Sequence, residues 1–413
     1  MRIPLLGAIL LCIFTVLSDL YILKDIRDYW PRRSRKLFTW IHICCSALLW
    51  IALVVILAMP KRSLEQNILP VMWMLFSYLT IYIPKWIYCI FSLVGRLFTL
   101  GRHKRLNYGA MAGVPAAAIV FILFWWGAIF TAHDINVNRV ELESDRLPAS
   151  FDGLKAVQIS DAHVGTYGND TSFVSKLVDS VNALQPDVIF FTGDIVNRRS
   201  DELIPFQSVF KRLKAPMGVV AIHGNHDYAS YVDWPDPADA NKDVAKLDSM
   251  IRTNMGWILL NNDHTYLKRG NDSIPVIGVE NWGEPPFNQL GNLHKSYVVD
   301  GDSVKGLYDD NYKILLTHNP EHWSMAVTDT SNIDLSLSGH THAMQMMIKI
   351  GDWKWSPSKY RYERWGGLYE TKSTDGRDMH LYINIGTGMV GFPARIGAAT
   401  PEITLFTLKS KKK

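Results

Sequence analysis

Five short turns in this 413-residue chain each follow an apolar run and each present carboxylate, imidazole or amide groups. "QISDAHVG" offers Asp161 and His163, and "FFTGD" offers Asp194. "AIHGNHD" offers Asn225, His226 and Asp227, "LLTHNP" offers His318, and "LSLSGHTH" offers His340 and His342. Mixed oxygen and imidazole donors without sulfur suit Mn, Fe, Zn or Co and disfavour soft-metal sites. Seven or so donors exceed what one tetrahedral zinc requires. They suit two divalent or transition-metal ions about 3.5–4 Å apart that share one carboxylate, clamp the oxygens of a phosphoryl group and activate a water between them. Singly, each element is commonplace: Asp-x-His occurs by chance, Gly-Asp is an ordinary turn, and Asn-His-Asp can cap a helix. The joint run, each member following a strand, is what points to metal chemistry.

Such turns converge only if parallel strands deliver them, because ligands of α/β sheets bind outside the carboxyl ends of the strands. Hydrophobic patterning predicts strands at 154–160, 187–191, 218–223, 275–279, 313–318, 333–338, 344–350, 381–385 and 402–408. Helical patterns cover 171–184, 202–213 and 241–254, which suggests a sheet core covered by helices. "DWPDPADANKD" (233–243) reads as a surface loop. There is no internal repeat, and the only biased tract is the tail "KSKKK".

The first third is different in kind. Four apolar stretches, Ile3–Leu23, Leu37–Met59, Ile68–Val94 and Met111–Phe130, are each near the roughly 20 residues a helix needs to cross a bilayer. The first lacks a strongly basic start and a clear cleavage site, so it reads as a retained span and not a signal peptide. The third holds Lys85 after Pro84, and is expected to end near Lys85, with an interfacial segment beyond and Lys85 snorkelling. The first loop, "KDIRDYWPRRSRK", carries 6 basic residues, the third, "GRLFTLGRHKRLNYGA", carries 4, and the middle, "PKRSLEQN", carries 2. Basic loops stay in the cytoplasm, so both termini and everything after Phe130 are expected outside it, on a multi-pass protein of the cell (inner) membrane. The expected organisation is a transmembrane anchor over 1–130, a linker with a first strand over 131–153, and a catalytic domain over 154–413.

Charge divides at the same place. Residues 1–130 hold 14 Lys+Arg against 4 Asp+Glu, a balance of +10, and the rest holds 29 against 35, a balance of −6. An acidic catalytic part argues against nucleic acid as a partner, since that binding needs Lys and Arg to replace counterions. All four cysteines lie in the first third, so the remainder carries no disulfide framework and no thiolate metal site.

The order Asp-x-His, Gly-Asp, Gly-Asn-His-Asp, His, Gly-His-x-His resembles the calcineurin-like metallophosphoesterase family over about Leu154 to Leu408. The ending "NIGTGMVGFPARIGAATPEITLFTL" is similar to its bacterial membrane-associated branch, whose tails carry a Gly-x-Gly, a Pro-x-Arg and a Pro-Glu-Ile. The resemblance implies a four-layer α-β-β-α fold behind an all-α transmembrane bundle of about four helices. It implies that Asp161, His163 and His342 hold one metal, that Asn225, His318 and His340 hold the other, and that Asp194 bridges them. It gives His226 the work of protonating the leaving oxygen or stabilising charge there, and leaves Asp227 to support the loop.

Two departures stand out. Family members often read Gly-Asp-x-x-Asp, with the second Asp orienting the catalytic histidine; here "GDIVNR" places Asn197 there, which can accept from an imidazole but adds no charge. Arg198 follows and either meets the phosphate or is solvated. Where relatives often continue the last motif with Gly-Gly-Gln, this chain has Ala343, Met344 and Gln345, a bulkier and more apolar rim that suits a lipid-like substrate.

The function expected is a membrane-anchored, two-metal hydrolase of phosphomonoesters or phosphodiesters, acting on phospholipid, lipid-linked nucleotide or cell-envelope substrates. A binding or sensor module that has lost catalysis is the alternative, but such a site usually loses a bridging carboxylate or a histidine, and all seven donors are present. A transporter with a regulatory phosphatase domain would need intramembrane charges. Only Asp19 and Lys85 qualify, both near expected span ends, so anchoring is the simpler role.

Overall fold

The computed structural model describes residues 5–59, 68–98, 106–284 and 289–411. The middle loop of the charge count (60–67), part of the third (99–105) and the last two residues of the Lys tail lie outside the described residues. Two compact units divide the chain, Met1–Ile129 with Gly391–Ala394, and Phe130–Val390 with Arg395–Lys413.

The first unit is built on four long helices, α1 (Leu5–Tyr29), α2 (Arg32–Ala58), α3 (Ile68–Leu97) and α4 (Tyr108–Ile129). Continuous helix is what these apolar runs must form in lipid, where every backbone N–H and C=O has to be paired within the segment. Among the described residues three helices are long and apolar enough to cross a membrane, Arg32–Ala58, Ile68–Leu97 and Tyr108–His133. Large apolar side chains such as Ile13, Leu48, Ile51 and Ile122 point outward, while Leu49, Leu53, Tyr78 and Tyr82 pack inside. Gly109 and Gly113, four apart on α4, let it lie against α3. A Cβ on Gly109 would stand 2.1 Å from the Phe91 carbonyl oxygen, so no other residue fits there without movement.

The expectation for the third stretch is corrected. α3 does not end near Lys85 but runs through Pro84 to Leu97. Lys85 does not reach for an interface, because it has a partner inside the bundle: its Nζ donates to Asp19 Oδ1 at 2.8 Å and to Ser46 Oγ at 2.8 Å. The same carboxylate accepts from Ser46 Oγ at 3.0 Å and Tyr82 hydroxyl at 2.9 Å, and lies 3.4 Å from His42 Nε2. A second acid, Asp25, accepts from Tyr88 at 2.9 Å, from Ser92 and from Arg96. The two spans' charges are therefore a cross-helix lock linking α1, α2 and α3.

In the second unit the strands are β1 (Asn136–Ser144), β2 (Leu154–Ile159), β3 (Val188–Phe191), β4 (Val219–Ala221), β5 (Ile258–Leu259), β6 (Asp263–Arg269), β7 (Asp272–Gly278), β8 (Ile314–Leu316), β9 (Leu335–Ser338), β10 (Met346–Ile350), β11 (Trp353–Trp355), β12 (Gly367–Lys372), β13 (Asp378–Ile383), β14 (Ile396–Gly397) and β15 (Glu402–Ser410). They form a sheet ordered β1-β15-β2-β3-β4-β5, a second ordered β12-β13-β9-β8-β7-β6, and a small one ordered β11-β10-β14. β2 to β5 run parallel, as do β7, β8, β9 and β13.

Alternation along the strands makes the layers. Val188, Phe190, Ile314 and Leu316 meet in one core between the two large sheets. Their neighbours Ile189 and Phe191 face the helix α5 (Ser172–Ala183) through Phe173, Leu177 and Val181. Leu315 and Ile383 face Trp323 and Leu307 on the other side. This is four layers, helix on sheet on sheet on helix, and each buried aliphatic or aromatic side chain contributes about 1.5–3 kcal/mol relative to exposure.

Four departures from the sequence reading have local causes. The polar strands β6 and β12, where no strand is expected, are the two edges of the second sheet and are mostly half-buried or exposed. The helix expected at 202–213 is a 3-10 turn (200–206) containing Pro205, followed by one α turn. The stretch 233–243 is only partly loop, because Pro237 opens helix α6 (Pro237–Ser249) with Asp236 capping it, its carboxylate accepting from Ala238 N–H. The strand expected at 344–350 starts two residues later, after a left-handed turn.

Removing one member of a buried ion pair strands the other, at a cost of about 3–5 kcal/mol. Asp19→Ala should therefore lower the unfolding midpoint of the detergent-solubilised protein sharply, and Asp19→Leu combined with Lys85→Met should recover most of the loss. Strictly additive effects of the two sites would contradict the pairing.

Candidate metal centre

Six of the seven expected donors, Asp161, His163, Asp194, His318, His340 and His342, gather with His226 at the carboxyl ends of β2, β3, β4, β8 and β9, and Asn225 precedes His226 in the turn after β4. Three sets of ligand atoms lie within 4.8 Å of one another: Asp161, His163 and His342; Asp194, His318 and His340; and His163, Asp194 and His226. In the first set His342 Nε2 is 3.2 Å from Asp161 Oδ1 and 3.1 Å from His163 Nε2. In the second, His318 Nε2 is 3.1 Å from Asp194 Oδ2 and 3.3 Å from His340 Nδ1. Asp194 Oδ2 also lies 3.6 Å from His163 Nε2, so one carboxylate faces both sets.

The backbone is bent hard to achieve this. Asp161, His163, Asp194, His340 and His342 all have positive φ, from 42° to 75°. Each such non-glycine residue costs on the order of 1–3 kcal/mol and persists only where its surroundings hold it. Those surroundings are visible. The Asp227 carboxylate accepts the N–H groups of Gly224 (2.9 Å), Asp194 (2.8 Å), Ile195 (3.0 Å) and Val196 (3.2 Å). Gly224 is required because a Cβ there would stand 2.2 Å from Asp194 Oδ1, and Gly339 because its Cβ would stand 2.2 Å from Asp161 Oδ2. The tail motifs brace the first turn: Thr387 and Gly388 N–H donate to Ser160 and Asp161 carbonyls, and the buried Arg395 guanidinium donates to the carbonyls of Ile385, Gly386, Gly388 and Ala399.

The donor set fits a cation. Asn225 donates its amide N–H to Tyr231 hydroxyl at 2.7 Å, while its Oδ1 is buried with no hydrogen-bond partner. His318 Nδ1 is tied to the Thr192 carbonyl at 2.7 Å, which leaves Nε2 as the coordinating atom. Burial would lower the His318 imidazole, but the Asp194 and Asp161 carboxylates raise it to about 10. Burial would raise Asp161, but the imidazoles of His342, His318 and His163 hold it well below the ordinary carboxylate range. Burial, together with neighbouring imidazoles, pulls His163 and His340 well down, so both rings are neutral at ordinary pH. The carboxylates demand positive charge that a metal ion supplies better than a proton on His318.

Around these donors the structure reassigns two expectations. His226 is oriented not by the Asn197 amide but by its backbone carbonyl, 2.6 Å from His226 Nδ1; the amide turns away to Thr166 Oγ1 at 3.1 Å. A carbonyl only accepts, so Nδ1 carries the proton and Nε2 faces the site. Arg198 is not left to solvent but pairs with Glu202 at 3.3 Å. His226's backbone N–H donates to Asp194 Oδ1 at 2.8 Å.

Two tyrosines were not legible as site residues. Tyr231 stacks on His226 with centroids 4.2 Å apart and planes at 11°. Tyr362 hydroxyl lies 3.1 Å from His340 Nε2. Neither sits in a motif, and Tyr362 comes from a loop 22 residues beyond its partner. Gln345, which kept its place in the last motif, accepts Val390 N–H at 2.7 Å and so ties the ligand turn to the tail.

Comparison with known proteins agrees. Residues 154–344 match the family model described as "Calcineurin-like phosphoesterase", and residues 1–132 match "Probable Calcineurin-like phosphoesterase, transmembrane domain". The chain is similar to the uncharacterized metallophosphoesterase YkuE of Bacillus subtilis, 32% identical over 287 residues, which are 67% of this chain and 87% of YkuE. A transmembrane protein with metallophosphoesterase domain from Danio rerio is 29% identical over 332 residues, 78% of this chain and 69% of that protein. Bacillus subtilis YkoQ, also an uncharacterized metallophosphoesterase, is 26% identical over 298 residues, 70% of this chain and 96% of that one. A chain that spans most of such a relative, and whose five strand-end turns meet at one point, belongs to the calcineurin-like phosphoesterase family and is a metal-dependent hydrolase of phosphoric esters with a transmembrane region.

Proposed function

We propose that this protein is a bilayer-anchored phosphoesterase with a dinuclear centre, in which Asp161, His163 and His342 hold one ion, Asn225, His318 and His340 hold the other, and Asp194 is shared. The observation that carries this is the position of Asp194 Oδ2, 3.1 Å from His318 Nε2 and 3.6 Å from His163 Nε2. When bound, the two ions would polarise the phosphoryl oxygens and supply a nucleophilic water at neutral pH. The chain's own residues do the rest. Asp194 and Asp161 offset the cations' charge. His226, its proton fixed on Nδ1 by the Asn197 carbonyl and its ring held by Tyr231, offers Nε2 to the leaving oxygen. In imidazolium form that nitrogen donates a proton as the ester bond breaks.

Substrate class follows from placement and from the rim. A catalytic unit on a membrane-embedded chain meets lipid-linked or cell-envelope phosphoesters at high local concentration, and Met344, half exposed beside His342, makes the rim apolar. The basic first and third loops favour an orientation with that unit outside the cytoplasm, and a protein of the cell (inner) membrane fits that reading.

His226→Ala keeps the backbone N–H that holds Asp194, so metal content should stay near wild type while kcat falls by roughly 10²–10⁴-fold. The loss should be smaller for bis-p-nitrophenyl phosphate than for a lipid phosphoester with a poor leaving group. Loss of metal together with activity would make His226 a ligand instead.

For orientation, the native cysteines are replaced and a single probe is introduced at Asn271→Cys, in the exposed turn between β6 and β7, or at Ser34→Cys, near the start of α2. A membrane-impermeant maleimide should label Asn271→Cys in intact cells with a permeable outer layer, and Ser34→Cys only after lysis. The reverse pattern would place the catalytic unit in the cytoplasm.

A further inference from the structure

The hairpin β10–β11 follows the ligand turn directly, with Met346 only four residues after His342. Its register sets Ile348 opposite Trp355, Lys349 opposite Lys354, and Ile350 opposite Trp353. Directly opposed residues share a face. One face therefore carries Ile348, Ile350, Trp353 and Trp355, and the other carries the two lysines. The turn between them is Gly351–Asp352, with Gly351 at φ 58° as a tight two-residue connection requires.

The apolar face is not covered by the described residues. Ile350 is 70% exposed and Trp353 56%, and next to Trp355 the ring of Tyr360 is 76% exposed. The lysine face is equally unresolved: like charges directly opposite repel, and neither lysine has a carboxylate partner among the described residues. Between Met346 and Arg361 there are Lys349, Lys354, Lys359 and Arg361 against Asp352 alone, in a part of the chain whose balance is −6. Arg361 is already paired with Glu284 at 2.6 Å.

We infer that this hairpin is an anionic-bilayer contact of the catalytic unit, Ile350 and Trp353 entering the interfacial region while Lys349, Lys354 and Lys359 meet acidic headgroups. Three features on this chain favour lipid over a second copy. Trp and Tyr prefer the membrane–water boundary, and lysine stems lie along apolar surface with the ammonium at the headgroups. Each lysine near an anionic surface adds to the attraction. β11 is an edge strand, and an identical edge would bring the same uncompensated lysines face to face. The α1–α4 unit already holds the chain at a bilayer, so the hairpin needs to bind only weakly to act. The inference rests on the hairpin's own chemistry and holds whether or not the substrate is a lipid.

Its test uses the full chain, with Cys12, Cys44, Cys45 and Cys89 replaced and a single Ile350→Cys carrying an environment-sensitive fluorophore, reconstituted in phosphatidylcholine vesicles with or without phosphatidylglycerol. Asn271→Cys is the water-exposed control. The label at 350 should shift to the blue and be quenched by nitroxide-bearing lipid, more so with phosphatidylglycerol, while the label at 271 responds only to aqueous iodide. Adding Lys349→Glu and Lys354→Glu should abolish the phosphatidylglycerol dependence at an unchanged thermal unfolding midpoint. Iodide quenching at 350 equal to that at 271, without lipid quenching, would overturn the inference. So would shielding from both quenchers accompanied by cross-linking between chains, which would mean a second copy covers the face.

Discussion

The position of one carboxylate decides whether this centre exists. Asp194 faces both ligand sets through Oδ2 and anchors the His226 backbone through Oδ1, so a small displacement would separate the two halves and misplace the histidine together. Nothing about an Asp at the end of β3 guarantees that position. It is imposed by the glycines either side of the approach, by a left-handed φ of 58°, and above all by Asp227, whose carboxylate gathers four backbone N–H groups and folds the turn after β3 against the turn after β4. Asp227 makes no contact with the reacting groups and yet sets their geometry.

The same logic governs the other turns. A sheet can bring five loops to one edge, but aiming five side chains at one point requires backbone conformations that L-residues avoid. The strain at Asp161 and His163 is held by β3-turn carbonyls and by the tail, in which Arg395 ties together four carbonyls without a carboxylate of its own. Burial lowers this guanidinium's affinity for its proton to about 10, still far enough above neutrality to keep it charged. The tail that leads into β15, a strand lying between β1 and β2, thus braces the site from the far end of the sequence.

What could be read without coordinates was what depends on local chemistry. The seven donors were legible because each stands just past a short apolar strand, and the inner strands because their residues are buried on both faces. Edges such as β6 and β12 were not, since a half-exposed strand can be polar without penalty. The pairing of Asp19 with Lys85 was invisible because it joins residues 66 apart on different helices, and their apparent nearness to span ends suggested snorkelling instead. The Asn197 case is instructive in another way: the residue was the right one, but its main chain and not its amide orients His226, a distinction that side-chain identity does not carry. Tyr231 and Tyr362 carry no pattern at all and enter only through tertiary structure.

The molecule therefore combines a polar lock inside an apolar helix bundle with a strained polar site at the rim of an apolar sandwich. In each, buried carboxylates face cationic or imidazole groups supplied by other elements. The central claim is that the strand-end turns form one site for two ions sharing Asp194. Elemental analysis of purified wild-type protein and two variants tests it most directly. The account predicts close to two transition-metal ions per chain in the wild type, loss of both in Asp194→Ala, and loss of mainly one in His342→Ala. Full occupancy in the Asp194 variant would contradict it.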